Sequence, residues 1–456
     1  MRTETYISFG LFLLATANSR AQAQQIITPA PPVIPQTPEV KLPGSLSLDS
    51  KAVTESGKKP ISVQEAILIA LSHQPQIGIA SGNFSSAQGQ RQQVASGLNP
   101  QFSGNGGYAN NHTIRGSSSG SSNSYSVGAN VSQLLYDFGR TRDEVRRQSA
   151  LERAAFHLLS NTKLSVTLLV KQSFYDLVQG QANVTLSEAD VSTRQRQLDE
   201  AQARVSAGIG APSDLLQAKT NLAEAAITLS TARDTALTAQ VTLAEEMGID
   251  PRTPITPMPS SESSIEGEGD IDALVKLALT NRPDILAARE QVKAAAFGVS
   301  ATLKNQLPTF SVSAGVGGNG PNDPLATQSA TLGINVSWTF ADGGLTAGEV
   351  KSARGSEQSA RSNLVLTSQS AISEVSRAFL DLKSARQRQE LAEVGVSNAQ
   401  ELVRISEGRY EGGLGLFLDI TNAQSSLVSA QRSLTQAQGD IQRALARLRS
   451  AVGLTH

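Results

Sequence analysis

From Leu332 to Phe340 apolar and polar residues alternate: Leu332, Ile334, Val336, Trp338 and Phe340 stand against Gly333, Asn335, Ser337 and Thr339. A period of two puts one set on each face of a strand. The pattern breaks at Asp342-Gly343-Gly344. From Leu345 to about Glu411 no proline interrupts a run rich in Ala, Leu, Gln, Glu, Arg and Ser, which predicts one very long helix. The same stretch occurs 205 residues earlier, where Gly128, Asn130, Val131 and Ser132 answer Gly333, Asn335, Val336 and Ser337. Asp137, Gly139 and Thr141 answer Asp342, Gly344 and Thr346, and Arg204, Gly208, Gly210 and Asp214 answer Arg409, Gly413, Gly415 and Asp419. A register kept from Val127 to Ile249 predicts a tandem duplication.

Each half reads the same way. A short amphipathic helix over 61–72 and a second from Pro75 to about Leu98 precede a weak strand from Gln101 to about Asn111. A Gly/Ser-rich loop, 112–123, leads to a strand from Tyr125 to Tyr136. In the second half, helical segments begin at Ile271 and Pro283, a strand carries Phe310, Val312, Ala314 and Val316, and a Gly/Pro/Asn loop spans 317–328. The long helices end in Gly208-Ile209-Gly210-Ala211-Pro212 and Gly412-Gly413-Leu414-Gly415, turns from which antiparallel helices return. The helix from Pro75 and the returning helix from Ser213 together nearly match the long helix, so the two shorter ones are expected to stack end to end beside it.

Strands of about ten residues fit a tilted membrane crossing. Four of them cannot close a barrel, and an open edge is not tolerated in lipid, so several chains would have to close it together. The alternative is a pair of soluble hairpins, which the Gly-rich first strand allows.

Composition narrows the class. Aromatics are only 4% of the chain, which suits helical arrays better than thick cores. Net charge is −1 and no long basic block is present, so no nucleic-acid footprint is visible. Cysteine is absent, removing disulfides and thiolate chemistry together. His73, His112, His157 and His456 show no ligand spacing, and no hydrolase, zinc-protease or P-loop pattern occurs. No catalytic, cofactor-binding or metal-binding residue is therefore expected.

The N-terminus reads as a signal peptide over 1–23, with Arg2, an apolar run from Tyr6 to Ala17 and the small-x-small site Ala21-Gln22-Ala23. A short membrane anchor is the alternative, but the run falls below the roughly 20 residues a spanning helix needs. With no cysteine after the signal, no lipid-anchored N-terminus is expected. The expected order is a Pro-rich extended segment, 24–60, a first repeat, 61–249, a linker at mid-length, 250–270, and a second repeat, 271–456.

A signal peptide, duplicated halves, strand pairs leading into very long helices and a Gly-x-x-x-x-x-Asp turn at the far end resemble the TolC-like outer-membrane efflux proteins. Tyr136-Asp137-Phe138-Gly139-Arg140, Trp338 to Gly344, and Arg409-Tyr410-Glu411-Gly412-Gly413 through Asp419 carry the resemblance. It implies a mainly α protein with a membrane β-barrel: a homotrimer whose twelve strands form one barrel in the outer membrane, continued by an α-helical barrel across the periplasm. It also implies a periplasmic adaptor protein and an inner-membrane pump or ABC transporter as partners, in tripartite efflux or type I secretion.

On this resemblance Asp419 is an acidic pore constriction, gated together with Asp214, Tyr410 and Gly415. Gly415 stands where the family has an arginine and Asn422 where it has a second acidic residue, leaving Arg404 or Arg409 as candidate replacements. Gly208, Ile209, Gly413 and Leu414 match the tips that dock the adaptor. Leu332, Ile334, Val336, Trp338 and Phe340 would face outer-membrane lipid. For both aspartates a plain role in the first turn of a helix is the competing reading. For the whole chain the competing reading is a periplasmic or surface coiled-coil scaffold without a channel.

Overall fold

The computed structural model describes residues 60–112, 121–258 and 269–454. The expected signal peptide, and the Pro-rich segment up to residue 59, lie outside the described residues. Two like sets of elements follow one another. The first is α1 (Val63–His73), α2 (Pro75–Ser96), β1 (Gln101–His112), β2 (Ser121–Tyr136), α3 (Arg140–Ser206) and α4 (Pro212–Glu246). The second is α5 (Ile271–Asn281), α6 (Pro283–Leu303), β3 (Thr309–Gly320), β4 (Thr327–Ser337), α7 (Leu345–Glu411) and α8 (Phe417–Val452).

The long helices α3 and α7 each run 67 residues, roughly 100 Å at 1.5 Å per residue. Each is started by an aspartate at the end of the preceding strand segment. Asp137 accepts from the backbone N–H of Gly139 (3.0 Å) and Thr141 (2.7 Å), and Asp342 from Gly344 (3.0 Å) and Thr346 (2.9 Å). These bonds occupy N–H groups that the first helical turn leaves without partners. Burial opposes ionisation of Asp137, but the bonds from Thr141 and Gly139 and the charge of Arg140 outweigh it and hold the carboxyl below its usual range. The turn also demands two left-handed residues, Phe138 and Gly139 in the first repeat and Gly343 and Gly344 in the second. The repeated Asp-x-Gly-x-Thr is therefore the strand-to-helix joint itself.

The four strands form one antiparallel sheet in the order β1-β2-β3-β4. The helices repeat this order: α3 packs between the α2/α4 pair and the α6/α8 pair, and α7 packs on the far side of α6/α8. Each strand continues into or out of the helix below it, so sheet and helical layer share their lateral order. Among the described residues both are open, with β1 and β4 at the edges of one, and α2/α4 and α7 at the edges of the other.

The core sits at mid-length. Val63, Ala66, Ile67 and Ala70 of α1 are buried with Val166, Val170, Phe174 and Leu177 of α3, with Leu243 of α4 and with Met247 just after it. A Ser62–Glu65 capping box starts α1. Ile61 and Ile255 join this cluster, and the Ile61 N–H donates to the Thr256 carbonyl at 2.8 Å. In the second repeat Leu274 and Ala278 of α5 pack with Val375, Ala378 and Leu382 of α7 and Leu445, Leu448 and Val452 of α8.

The shorter helices meet end to end as expected. Gln74, ahead of α2, donates to the Glu246 carbonyl at the end of α4 (3.0 Å). Arg282, ahead of α6, donates to the Ala451 carbonyl (3.0 Å) and to Glu374 of α7 (2.7 Å).

Three boundaries differ from the sequence reading. β4 stops at Ser337, so Trp338 and Phe340 lie beyond the strand. Its partner β3 begins at Thr309, which pairs with Ser337, and Pro308 and the 3-10 turn Lys304–Gln306 leave no further backbone to pair with. Residues 317–320 and 327–328, expected in a loop, are paired strand: Gly317 lies opposite Ser329 and Gly318 opposite Gln328. Residues 112 and 121–123, also expected in a loop, are strand, since β1 runs to His112 and β2 begins at Ser121.

Candidate functional site

The pairing register sorts the sheet into two faces. Ile334 lies opposite Val312, Leu332 opposite Ala314, and Val336 opposite Phe310. Ala314 is in turn opposite Val131, and Val131 opposite Phe102. One face thus carries Phe102, Val127, Val131, Phe310, Val312, Leu332, Ile334 and Val336, with Tyr108 and Tyr125 paired toward the far end. The other carries Ser, Thr, Asn, Gln and Gly, with Ala109 and Leu134 as its apolar members. None of the four strands contains Asp, Glu, Lys or Arg.

Among the described residues nothing covers the apolar face at the β4 edge. Leu332 is 81% exposed and Ile334 72%. Aromatic residues gather at both ends of the sheet. Tyr108 and Tyr125 stack at 4.9 Å at the hairpin end. At the helical end Tyr136 lies against Phe138 (4.8 Å) and Trp338 against Phe340 (6.0 Å), all four exposed. The Trp338 indole N–H donates to the Gln306 carbonyl at 3.0 Å, which fixes the ring beside the joint.

The other end of the molecule is the pair of helix-turn-helix tips. Gly208 (φ +76°) and Gly413 (φ +70°) are left-handed, and a side chain there would be strained. Gly210 and Gly415 are needed for closeness instead. A Cβ on Gly210 would lie 2.9 Å from the Val205 nitrogen, and one on Gly415 3.1 Å from the Tyr410 nitrogen. Each turn is thereby wrapped onto the last helical turn before it, and Ile209 and Leu414 project with 78% and 79% exposure.

Beneath the turns Phe417, Ala201 and Ala218 form a small buried cluster with Leu198 and Tyr410. The Tyr410 ring sits 6.0 Å from Phe417. On it lies the guanidinium of Arg204, 4.4 Å from the ring centre, itself paired with Glu200 at 3.0 Å. Burial pushes the Tyr410 hydroxyl above its ordinary range; Arg204 pulls it back, and Glu200 and Asp214 push it up again. The ring stays neutral and offers its π face to the cation.

The cation that the structure brings to Tyr410 within the chain is Arg204. Arg404 pairs with Glu401 on the exposed surface of α7. Arg204 was legible only as the repeat counterpart of Arg409, because a contact between two long helices leaves no local pattern.

Asp419 is exposed in the first turn of α8, and its Oδ2 accepts from the Leu416 N–H at 3.1 Å. Its helix-start role is therefore present. A carboxylate has lone pairs to spare, so the cap leaves the other oxygen open to solvent. Asp214 is half-buried close to Tyr410, and Asn422 is exposed. Behind the tips lies a buried polar layer that sequence reasoning missed. Arg194 bonds Asp190 (3.2 Å) and Ser425 (3.1 Å), and Asn221 donates to Thr421 (3.4 Å). Among the described residues no group of three or more His, Asp or Glu could hold a metal ion.

A strand pair feeding a helix of some 100 Å, twice over in one chain, is a fold shared with solved outer-membrane channels. The outer membrane protein VceC from Vibrio cholerae superposes with a TM-score of 0.75 at 22% identity, covering 86% of this chain and 96% of VceC. The CmeC outer membrane channel of Campylobacter jejuni gives 0.76 at 18% identity, covering 86% and 85%. Outer membrane efflux protein BepC of Brucella suis is 26% identical over 334 residues, 72% of each chain. Outer membrane protein TolC of Vibrio cholerae is 23% identical over 349 residues, 72% of this chain and 76% of that one. The family model for outer membrane efflux proteins matches residues 66–248 and 274–454. The chain belongs to that family, the TolC-like channels of the outer membrane, which are transport proteins and not enzymes.

Proposed function

We propose that three copies of the chain join edge to edge into one duct, a twelve-stranded barrel in the outer membrane continued by a helical barrel through the periplasm. The observation that carries this reading is the shared open edge. β1 and β4 present unpaired backbone on the same two sides on which α2/α4 and α7 end the helical layer, so one lateral contact would close both. An unpaired strand edge is not viable in lipid. In this duct the apolar face meets lipid and the charge-free polar face lines the bore. The two repeats are 61–249 and 271–456, joined by the linker 250–270, and residues 1–23 direct export.

Dimensions agree with a membrane crossing. Eleven residues separate Tyr125 from Tyr136 on β2, about 37 Å of strand. At a tilt of about 40° this spans about 28 Å, close to the apolar band of roughly 25 Å between aromatic girdles. A soluble scaffold would instead leave Leu332 and Ile334 in water. Trp338, the sole tryptophan, reports on the difference. Its fluorescence is expected to be strongly quenched by brominated lipid in reconstituted protein. Emission that ignores the label, with protein remaining in the supernatant after membranes are pelleted, would favour the scaffold over the duct.

The tips form the gate. The strands carry no Asp, Glu, Lys or Arg, so the tips are the main seat of ion preference, and three Asp419 carboxylates at the constriction would concentrate cations. Asp419→Ala is expected to lower cation-over-anion permeability several-fold in planar bilayers. Unchanged reversal potentials would reject the acidic ring. The exposed Ile209 and Leu414 beside Gly208 and Gly413 suit docking of a periplasmic adaptor, which would couple the duct to an inner-membrane pump or ABC transporter.

A further inference from the structure

Along their lengths α3 and α7 are kept apart by α6 and α8, which pack between them. At the tip they touch: Arg204, in the last turn of α3, lies over the Tyr410 ring in the last turn of α7. We propose that this stack is the intrachain clamp that holds the two long helices together at the gate, with Arg204 as its positioning residue. The inference rests on the gate reading above and names a residue that reading does not use.

Both partners are held in place. Glu200, one turn before Arg204, takes the guanidinium at Nε (3.1 Å) and Nη2 (3.0 Å), which fixes its plane. Tyr410 is backed by Phe417, whose own burial ties it to Ala201 of α3 and Ala218 of α4. The turn at Gly415 presses on the Tyr410 backbone so closely that a Cβ there would lie 3.1 Å from its nitrogen and 3.2 Å from Arg409 carbon atoms. A long cationic side chain has no easy seat at position 415. The charge that meets Tyr410 comes across from α3 instead.

A guanidinium over a tyrosine face is attractive without a proton transfer or a buried charge pair. It can also slide off the ring without leaving an unpaired buried charge, since Glu200 retains it. The clamp therefore has two states that differ by the stack alone: Arg204 on Tyr410 with the tips together, which the cation–π attraction favours, and Arg204 on Glu200 alone with the tips released.

The test is single-channel recording of the trimer with a double-mutant cycle. Arg204→Ala and Tyr410→Leu are each expected to raise mean resting conductance several-fold, and the double variant no further than either alone. Arg204→Lys, which keeps the charge but loses the planar stack, is expected to fall between wild type and Arg204→Ala. Arg196→Ala, an exposed arginine two turns back on α3, is the control and leaves conductance unchanged. The chain has no native cysteine, so Arg204→Cys with Tyr410→Cys, bridged by a short thiol-specific crosslinker, should return the raised conductance to the resting level. Resting conductance in Arg204→Ala trimers, or effects of the two single variants that add, would overturn the clamp. Wild-type protein that neither forms trimers nor conducts would overturn the duct reading itself.

Discussion

Ile334→Lys is expected to abolish assembly in the membrane, while Asn335→Lys, one residue further on, is tolerated. The two positions lie in the same edge strand, at the same depth, and differ only in the face they occupy. Ile334 pairs with Val312 on the apolar face, and Asn335 pairs with Ser311 on the polar one. A lysine on the lipid side near the bilayer midplane costs about 2–4 kcal/mol. In a symmetric trimer the cost is met three times, about 6–12 kcal/mol, comparable to the whole stability of an ordinary domain. On the bore side the ammonium keeps its water, and the only expected change is a shift of selectivity toward anions. Heat-resistant trimers on gels and yield in the outer-membrane fraction measure the difference. Equal loss in both variants would contradict a two-faced sheet. Equal tolerance would mean that lipid does not touch this face.

That contrast is available because the alternation in β4 is plain in the amino-acid sequence itself. So are the duplication and the two long helices, which follow from a 205-residue offset and from the absence of proline. What the sequence concealed was set by partners elsewhere in the chain. Alternation continues through Trp338 and Phe340, yet the strand ends at Ser337, because strand length is fixed by the neighbour and β3 has no backbone to offer beyond Thr309. Gly317 and Gly318 carry a loop's composition but sit in a ladder, where a missing side chain lets the returning 324–327 segment approach. A Cβ on Gly318 would clash with the Pro324 carbonyl oxygen. Arg204 belongs to the same group, since the ring it covers lies 206 residues away.

Asp419 shows a different limit. Its spacing from Gly413 allows a helix-start residue as well as the constriction that the family resemblance favours, and the structure supplies the first role directly through Leu416. The two demands are compatible because the cap occupies one oxygen and leaves the other for the proposed constriction. Sequence can rank such readings only when they exclude one another.

The glycines at the ends of the shorter helices give the second large effect, with an internal control. Gly248, Gly453 and Gly208 all adopt left-handed backbone, at φ +69°, +85° and +76°. Any L-residue there bears a similar conformational cost, about 1–2 kcal/mol. Their surroundings differ. A Cβ at position 208 meets nothing within 4 Å, at 453 it meets Arg282 backbone at 3.1 Å, and at 248 it meets the His73 carbonyl carbon and oxygen at 2.8 Å. Those neighbours are backbone and cannot rotate away, so Gly248→Ala must part the joint where α4 ends and α2 begins. Adding overpacking of about 1–3 kcal/mol, the total is about 2–5 kcal/mol per chain.

The expected order of destabilisation is therefore Gly248→Ala above Gly453→Ala above Gly208→Ala, measured as the denaturation midpoint of the purified protein. The joint matters beyond stability. α2 and α4 make one continuous stave beside α3 only while Gln74 reaches the Glu246 carbonyl, and that stave is one of the two lateral edges on which the proposed closure depends. Gly248→Ala is thus expected to weaken subunit association as well as folding, whereas Gly208→Ala, at an open tip, is expected to leave assembly intact. Loss of trimers in the tip variant with none in the joint variant would reverse the assignment of which end of α4 holds the edge in place.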